Sequence, residues 1–174
     1  MSKVILYIAV SVDGYIATKD GGVKWLDKYT DGKIDYGFHK FYKSIDTAII
    51  GSTTYKQILT FGKWPYPDKL NYVITTKKNL KKMDDSVNFY NGSLLVLVKK
   101  LKAKSKKNIW LVGGGKLTGS FINKNLIDEL IMFIMPDILT DGIPLFQNII
   151  KERKIKLVNS KTYSTGVVEL TYKL

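Results

Sequence analysis

Short apolar runs, each followed at once by glycine, serine or threonine and then by a helical pattern, recur along this chain. That alternation restricts the fold more than any other feature. Asp46–Gly51 reads DTAIIG, a short buried strand, and the following residues predict a helix from Thr53 to about Leu59. Asn108–Val112 reads NIWLV, and three consecutive glycines, Gly113 to Gly115, lead into a helix over about 116–124. Further strands are predicted over 3–10, Asn71–Thr75, Ser86–Tyr90 and Asp128–Met135. A short helix is predicted over 35–44, with Phe38, Phe41 and Tyr42 on one face, and another from a Ser93 cap to about Leu101. Strands alternating with helices require crossover connections, so they build a mostly parallel central sheet with helices on both faces. The chain end differs. KIKLVNSKTY and VVELTYKL flank Ser164-Thr165-Gly166, and Val168, Leu170 and Tyr172 alternate with Glu169 and Thr171, which predicts a C-terminal antiparallel hairpin. No repeat or linker interrupts the pattern, so residues 1–174 read as one α/β domain.

Charge and composition narrow the function. The formal net charge is +13, which raises the question of nucleic acid. Yet Arg153 is the single arginine, and lysine lacks the planar fork that reads base edges and phosphates. The excess therefore reads as a solvated lysine surface, and no nucleic-acid partner is expected. Cysteine is absent, which excludes a disulfide framework and a thiolate metal site and fits a reducing compartment. No His/Asp/Glu cluster has metal-ligand spacing, so no metal is expected. The first residues, MSKVILYIAVSVDGYIA, resemble a secretion signal, but Asp13 and Gly14 interrupt the apolar run; they read as the first strand of a cytoplasmic protein. No apolar run approaches the roughly 20 residues that span a bilayer.

Ligands in open parallel sheets bind beyond the carboxyl ends of the strands, which is where the glycines lie. The P-loop pattern fails, because Trp110 stands where its first glycine belongs and Leu117 replaces its Ser/Thr. The dinucleotide pattern G-x-G-x-x-G also fails, since its last glycine arrives one residue late, at Gly119. The underlying physics survives: a strand ending in glycines before a helix presents N–H groups to an anion, and Lys116 adds a charge. The alternative is that the glycines only permit a tight turn and close packing. Gly51-Ser52-Thr53-Thr54 offers a second such end, either a plain helix cap or an anion site. Thr75-Thr76-Lys77-Lys78 offers a third, either a solvated loop or a phosphate site. Three such ends in one small domain suggest a ligand carrying several phosphates.

These segments together resemble the dihydrofolate reductase-like superfamily, closest to the branch of the riboflavin biosynthesis reductase domain. The carriers are SVDGYIA (Ser11–Ala17), WL (Trp25–Leu26), DTAIIGSTTY (Asp46–Tyr55), VITTKK (Val73–Lys78), IWLVGGGKL (Ile109–Leu117) and LIDELIMFIMPDILTDGIPLF (Leu126–Phe146). The resemblance covers nearly the whole chain and implies a three-layer fold and the cofactor NADPH. It implies that Ala9, Ile16 and Ala17 lie along the nicotinamide and its ribose. Gly51, Ser52 and Thr53 would meet the pyrophosphate, with Val112, Gly113, Gly114, Gly115, Lys116 and Leu117 opposite them. Thr75, Thr76, Lys77 and Lys78 would surround the adenosine 2′-phosphate. Asp13 would sit in a loop closing over the nicotinamide, and Trp25 and Phe38 beside the substrate. The resemblance also implies a homodimer, with the apolar strand at 130–135 as an interface component. One departure stands out: Ser52 occupies the position where the family usually carries a phosphate-binding arginine.

Reduction of a C=N bond leaves a nitrogen that needs a proton, which a carboxyl group or an ordered water can supply. Asp35, sixteen residues before Gly51, matches by resemblance the pterin-binding acid of dihydrofolate reductases. Held against Phe38 and Trp25, it would be partly desolvated, with a raised pKa; the alternative is an ordinary helix cap. His39, the only histidine, lies one turn later and reads as an inert surface residue. The expected activity is NADPH-dependent reduction of a small pterin-like or aminopyrimidine substrate, of the 5-amino-6-(5-phosphoribosylamino)uracil reductase type. The alternative is a nucleotide-binding protein on the same fold with little or no catalysis.

Overall fold

The structure, a computed structural model, describes residues 2–30 and 32–174. The strands are β1 (Val4–Ser11), β2 (Tyr15–Ala17), β3 (Ile45–Gly51), β4 (Leu70–Ile74), β5 (Val87–Tyr90), β6 (Asn108–Gly113), β7 (Glu129–Met135), β8 (Ile143–Pro144), β9 (Lys156–Thr162) and β10 (Val168–Lys173). The α-helices are α1 (Phe38–Lys43), α2 (Ser52–Ile58), α3 (Leu94–Lys104) and α4 (Gly115–Asn123), and a 3₁₀ helix spans Lys24–Tyr29.

Eight strands form one sheet in the order β5-β4-β3-β6-β1-β7-β10-β9. From β5 to β7 every pairing is parallel; β10 runs antiparallel to β7, and β9 antiparallel to β10. The expected terminal hairpin is therefore the sheet's edge. Its turn uses Gly166 at φ 84°, a conformation in which a side chain would crowd the backbone.

The side-chain alternation of the central strands divides the interior into two layers. Val4, Leu6 and Val10 of β1 face α3 and α4, joining Leu97, Leu101 and Phe121. Ile5 of β1, Ala48 and Ile50 of β3 and Trp110 of β6 face the other side, against Phe41 of α1 and Tyr55 and Ile58 of α2. Both faces being covered, these strands carry near-continuous apolar runs, as buried parallel strands do. A third, smaller cluster of Phe133, Met135 and Val167 lies where β7 meets the hairpin.

Some local expectations change. The helix predicted from residue 35 begins only at Phe38, because Tyr36 (φ 50°) and Gly37 (φ 80°) are left-handed and cannot continue a helix. Ser93 stands at the start of α3 but its hydroxyl makes no capping bond, and the helix runs past Leu101 to Lys104. The two-stranded pairing of β2 with β8 was not anticipated, because segments of three and two residues carry no periodicity. No helix among the described residues is long and apolar enough to cross a membrane.

Candidate active site

Beyond the carboxyl halves of β1 and β7 lies a cavity of about 440 Å³. Tyr7 and Ala9 of β1 and Phe133 and Met135 of β7 form its floor. Leu26, Tyr29 and Thr30 close one side, and the segment from Ile34 to Phe38, with His39, closes the other. The Tyr7 ring stacks on Phe41, with centroids 4.2 Å apart and planes 15° from parallel, and meets Phe133 at 4.7 Å. Burial, with the Glu169 carboxylate nearby, pushes the Tyr7 pKa far above its ordinary value, so this hydroxyl stays neutral.

Asp35 lies in the wall of this cavity, but its surroundings are not those of a desolvated acid. It is exposed; one carboxylate oxygen accepts from the Gly37 N–H at 2.9 Å, and the other accepts from the His39 N–H at 3.2 Å. His39 Nδ1 lies 2.9 Å from that second oxygen. These bonds, the Gly37 one foremost, hold the carboxyl below its ordinary 3.8, opposite to the raised value expected. The carboxylate is therefore ionised at neutral pH, and it also supports the start of α1. Phe38 lines the cavity as well, whereas Trp25 and Asp13 do not. Trp25 packs partly buried beside Phe133 and Met135, its indole N–H without a partner. The Asp13 carboxylate accepts from Ser11 Oγ at 2.6 Å and from the backbone N–H groups of Leu139 and Thr140 at 3.1 and 2.7 Å. It thus fastens the loop after β7 to the end of β1. Asp137, in that loop, accepts from Lys28 and Tyr29 and so ties down the 3₁₀ helix that forms the cavity wall.

The glycine-rich strand ends belong to β3 and β6, and β6 pairs with β1, whose Tyr7 and Ala9 line the cavity. A Cβ built on Gly51 would lie 3.2 Å from the Gly113 carbonyl oxygen and 3.7 Å from Leu117 Cβ. Thr54 Oγ1 donates to that same carbonyl at 3.4 Å. Gly113 and Gly114 have φ of 114° and 93°, values that side chains rarely adopt. Gly115 and Gly119 serve a different purpose: added Cβ atoms would meet Pro144 O at 2.2 Å and Gln147 O at 1.8 Å. The segment after β8 therefore lies directly on α4, so the close-packing alternative holds for these two positions. Ser52 begins α2 without a side-chain capping bond, Thr53 is exposed, and Lys116 projects to solvent. Ile16 and Ala17 lie in β2; Ala17 is buried, and Ile16 packs partly buried against the layer of α3 and α4.

At the end of β4, Thr75 is buried and its hydroxyl accepts from the Lys77 N–H at 3.0 Å, shaping the turn. Thr76, Lys77 and Lys78 are exposed around it. Lys56, on α2, reaches this turn: the adjacent Lys77 ammonium, by contact and by repulsion, lowers the Lys56 pKa. Two ammonium groups gathered at one strand end form a site that an anion would relieve. Lys56 and Lys116 are the two cations the sequence offers in place of the missing arginine; Lys77 lies 21 positions beyond Lys56, a distance that only the β3–β4 pairing closes.

The family model of the RibD C-terminal domain matches residues 2–169. The chain belongs to the RibD C-terminal domain family. This RibD C-terminal domain is 38% identical over 166 residues to the uncharacterized protein YwjB of Bacillus subtilis, covering 95% of this chain and 94% of that one. It superposes with a TM-score of 0.89 on a putative riboflavin biosynthesis protein from Shewanella, at 28% identity and 98% coverage of both chains. With a Thermotoga maritima diaminohydroxyphosphoribosylaminopyrimidine deaminase/5-amino-6-(5-phosphoribosylamino)uracil reductase it shares the fold, at TM-score 0.72 and 18% identity; it covers 99% of its own length and 56% of that chain. The dihydrofolate reductase-like α/β architecture expected from the sequence is thus the architecture of this RibD C-terminal domain.

Proposed function

We propose that this chain is an NADPH-dependent reductase of a small pterin-like or aminopyrimidine substrate. The observation that carries the reading is what the carboxyl ends of neighbouring strands bring together: the aromatic cavity at Ala9 of β1, the glycine turns after β6 and β3, and the lysines after β4. A Cβ at Gly51 or Gly114 would meet Gly113 O or Thr54 Oγ1 at 3.2 and 2.9 Å, so the missing side chains let the turns after β3 and β6 pack side by side, and the N–H groups that open α2 and α4 there suit a pyrophosphate. Lys56 and Lys77, with Thr76 and Lys78, suit the 2′-phosphate that distinguishes NADPH from NADH. In this reading Lys56 compensates for the arginine that Ser52 replaces.

When bound, the reduced nicotinamide supplies a hydride. The chain's own residues do the rest. Ala9 leaves room on β1 for a flat ring, and Tyr7, Phe38 and Phe133 hold the substrate ring beside it. Asp35, ionised, accepts from ring N–H or amino groups and orients the substrate. His39, 2.9 Å from Asp35, is placed to hold the proton that the reduced nitrogen takes up. A second copy of the chain completes the protein as a homodimer in this reading. Residues 130–135, the interface component expected from the sequence, lie in β7 between β1 and β10, so in this reading the second copy meets the exposed edge strand β9, where Leu157 and Val158 are 50% and 60% exposed.

The test is a titration with NADPH and NADH in parallel, following energy transfer from tryptophan to the reduced nicotinamide. NADPH should bind well ahead of NADH. Failure of both at hundreds of micromolar ends the reductase reading. The second reading, a nucleotide-binding protein with little catalysis, is favoured by the lowered pKa of Asp35, which removes the expected carboxylic acid. NADPH binding without turnover of any dihydropterin or aminopyrimidine would establish it.

A further inference from the structure

We propose that the cavity accepts a flat heteroaromatic ring without a phosphate and excludes a phosphoribosylated one. This rests on the reading of the cavity as the substrate pocket of a reductase, and it separates the chain from the phosphoribosylamino chemistry named for the Thermotoga protein of the same fold.

Three observations converge on it. First, the walls are flat and apolar: Tyr7, Phe38 and Phe133 present ring faces and edges, which stack favourably on another ring and offer a phosphate nothing. Second, the wall carries the Asp35 carboxylate, and its one imidazole, His39, is already bonded to that carboxylate at 2.9 Å. Asp35 is held ionised by Gly37 and His39, and it would repel a phosphate bearing about −1.5 to −2 charges at neutral pH. Among the described residues that line the cavity there is no lysine or arginine; Lys28, on the bordering 3₁₀ helix, is bonded to Asp137. A phosphate entering here would lose hydration and would have to compete with Asp35 for His39, and burying an unpaired charge is strongly unfavourable. Third, the chain does place lysines at a strand end, but elsewhere: Lys77 and Lys78 are exposed after β4, which pairs with β3, the strand that leads into α2 and its exposed Lys56. Anion-binding chemistry and the aromatic cavity therefore occupy different strand ends, as a phosphorylated cofactor and an unphosphorylated substrate would require.

The experiment uses a matched pair of probes, 5-amino-6-ribosylaminouracil with and without its 5′-phosphate, and pterin as a third probe, each titrated calorimetrically into the whole protein. We expect pterin to bind, and the unphosphorylated uracil to bind at least about tenfold more tightly than its phosphate. Thr30→Lys, an exposed change at the cavity wall, should narrow that gap by improving the phosphorylated probe alone. Asp35→Asn should narrow it too. Equal or tighter binding of the phosphorylated probe overturns the proposal, as does binding of none of the three by protein that still binds NADPH. The parallel NADPH titration keeps the two readings apart. Loss of NADPH binding with the phosphate discrimination intact removes the reductase function and leaves the selectivity of the cavity standing.

Discussion

The Tyr7 hydroxyl donates to the Tyr36 carbonyl oxygen at 3.0 Å, joining the middle of β1 to a residue held at φ 50°. An aromatic residue in the left-handed region is uncommon and needs support from its surroundings. Tyr36 also packs edge-on against Phe133 and Tyr163 and donates from its own hydroxyl to Thr165 Oγ1 at 3.1 Å. The cavity wall before α1 is thus held from β1, β7 and the terminal hairpin together.

Removing that bond should loosen the wall. Tyr7→Phe keeps the ring stacked on Phe41 but leaves the Tyr36 carbonyl without its donor. A loss of roughly 1 kcal/mol is expected, or about 2–4 °C in melting temperature for a chain of this size. Differential scanning calorimetry reads it, and an unchanged melting temperature would show that water replaces the hydroxyl at no cost.

The glycines of α4 should be intolerant for a steric reason. A Cβ on Gly119 would lie 1.8 Å from the Gln147 carbonyl oxygen, a backbone atom that cannot turn aside. Gly119→Ala must displace the segment after β8 and should destabilise by about 1–3 kcal/mol. The urea midpoint measures it; a midpoint equal to wild type would mean that this segment moves freely.

The lysine pair should act on the cofactor and not on the fold. Lys56→Ala removes a repulsion in the free protein, so unfolding stability should hold or rise slightly. NADPH affinity should fall by roughly tenfold while NADH affinity stays nearly constant. The same titration in increasing salt should give a shallower slope for the variant. A parallel loss for both dinucleotides would move Lys56 away from the 2′-phosphate.

Asp35 has a pH signature of definite sign. Its folded pKa lies below the ordinary 3.8, so its contribution to stability is present above the unfolded value and disappears as pH falls through the folded one. Asp35→Asn should therefore be less stable than wild type at pH 7, and the two should converge in strong acid. Chemical denaturation at both pH values tests this; a gap that widens in acid would mean that the carboxyl is raised instead of lowered.

Much of the molecule was readable from local pattern. DTAIIG and NIWLV carry their own strand signal, and the glycines after the latter mark where the chain turns, because conformational freedom at those positions is a property of the residue itself. The alternation of strands and helices fixed a parallel sheet by the handedness and length of its connections. What the pattern could not contain is which distant groups face each other. Asp35 reads from Phe38 and Trp25 as a partly desolvated acid, with an ordinary helix cap as the alternative; the N–H groups of Gly37 and His39, which a left-handed Tyr36 and Gly37 turn toward it, favour the cap. Lys56 and Lys77 meet only because β3 pairs with β4, and Gly119 is obligatory only because Gln147 returns across α4. Intrinsic backbone preference and periodicity belong to short stretches of chain and are decided there. Electrostatic pairing and steric exclusion depend on separations in space, and the packing of the sheet sets those.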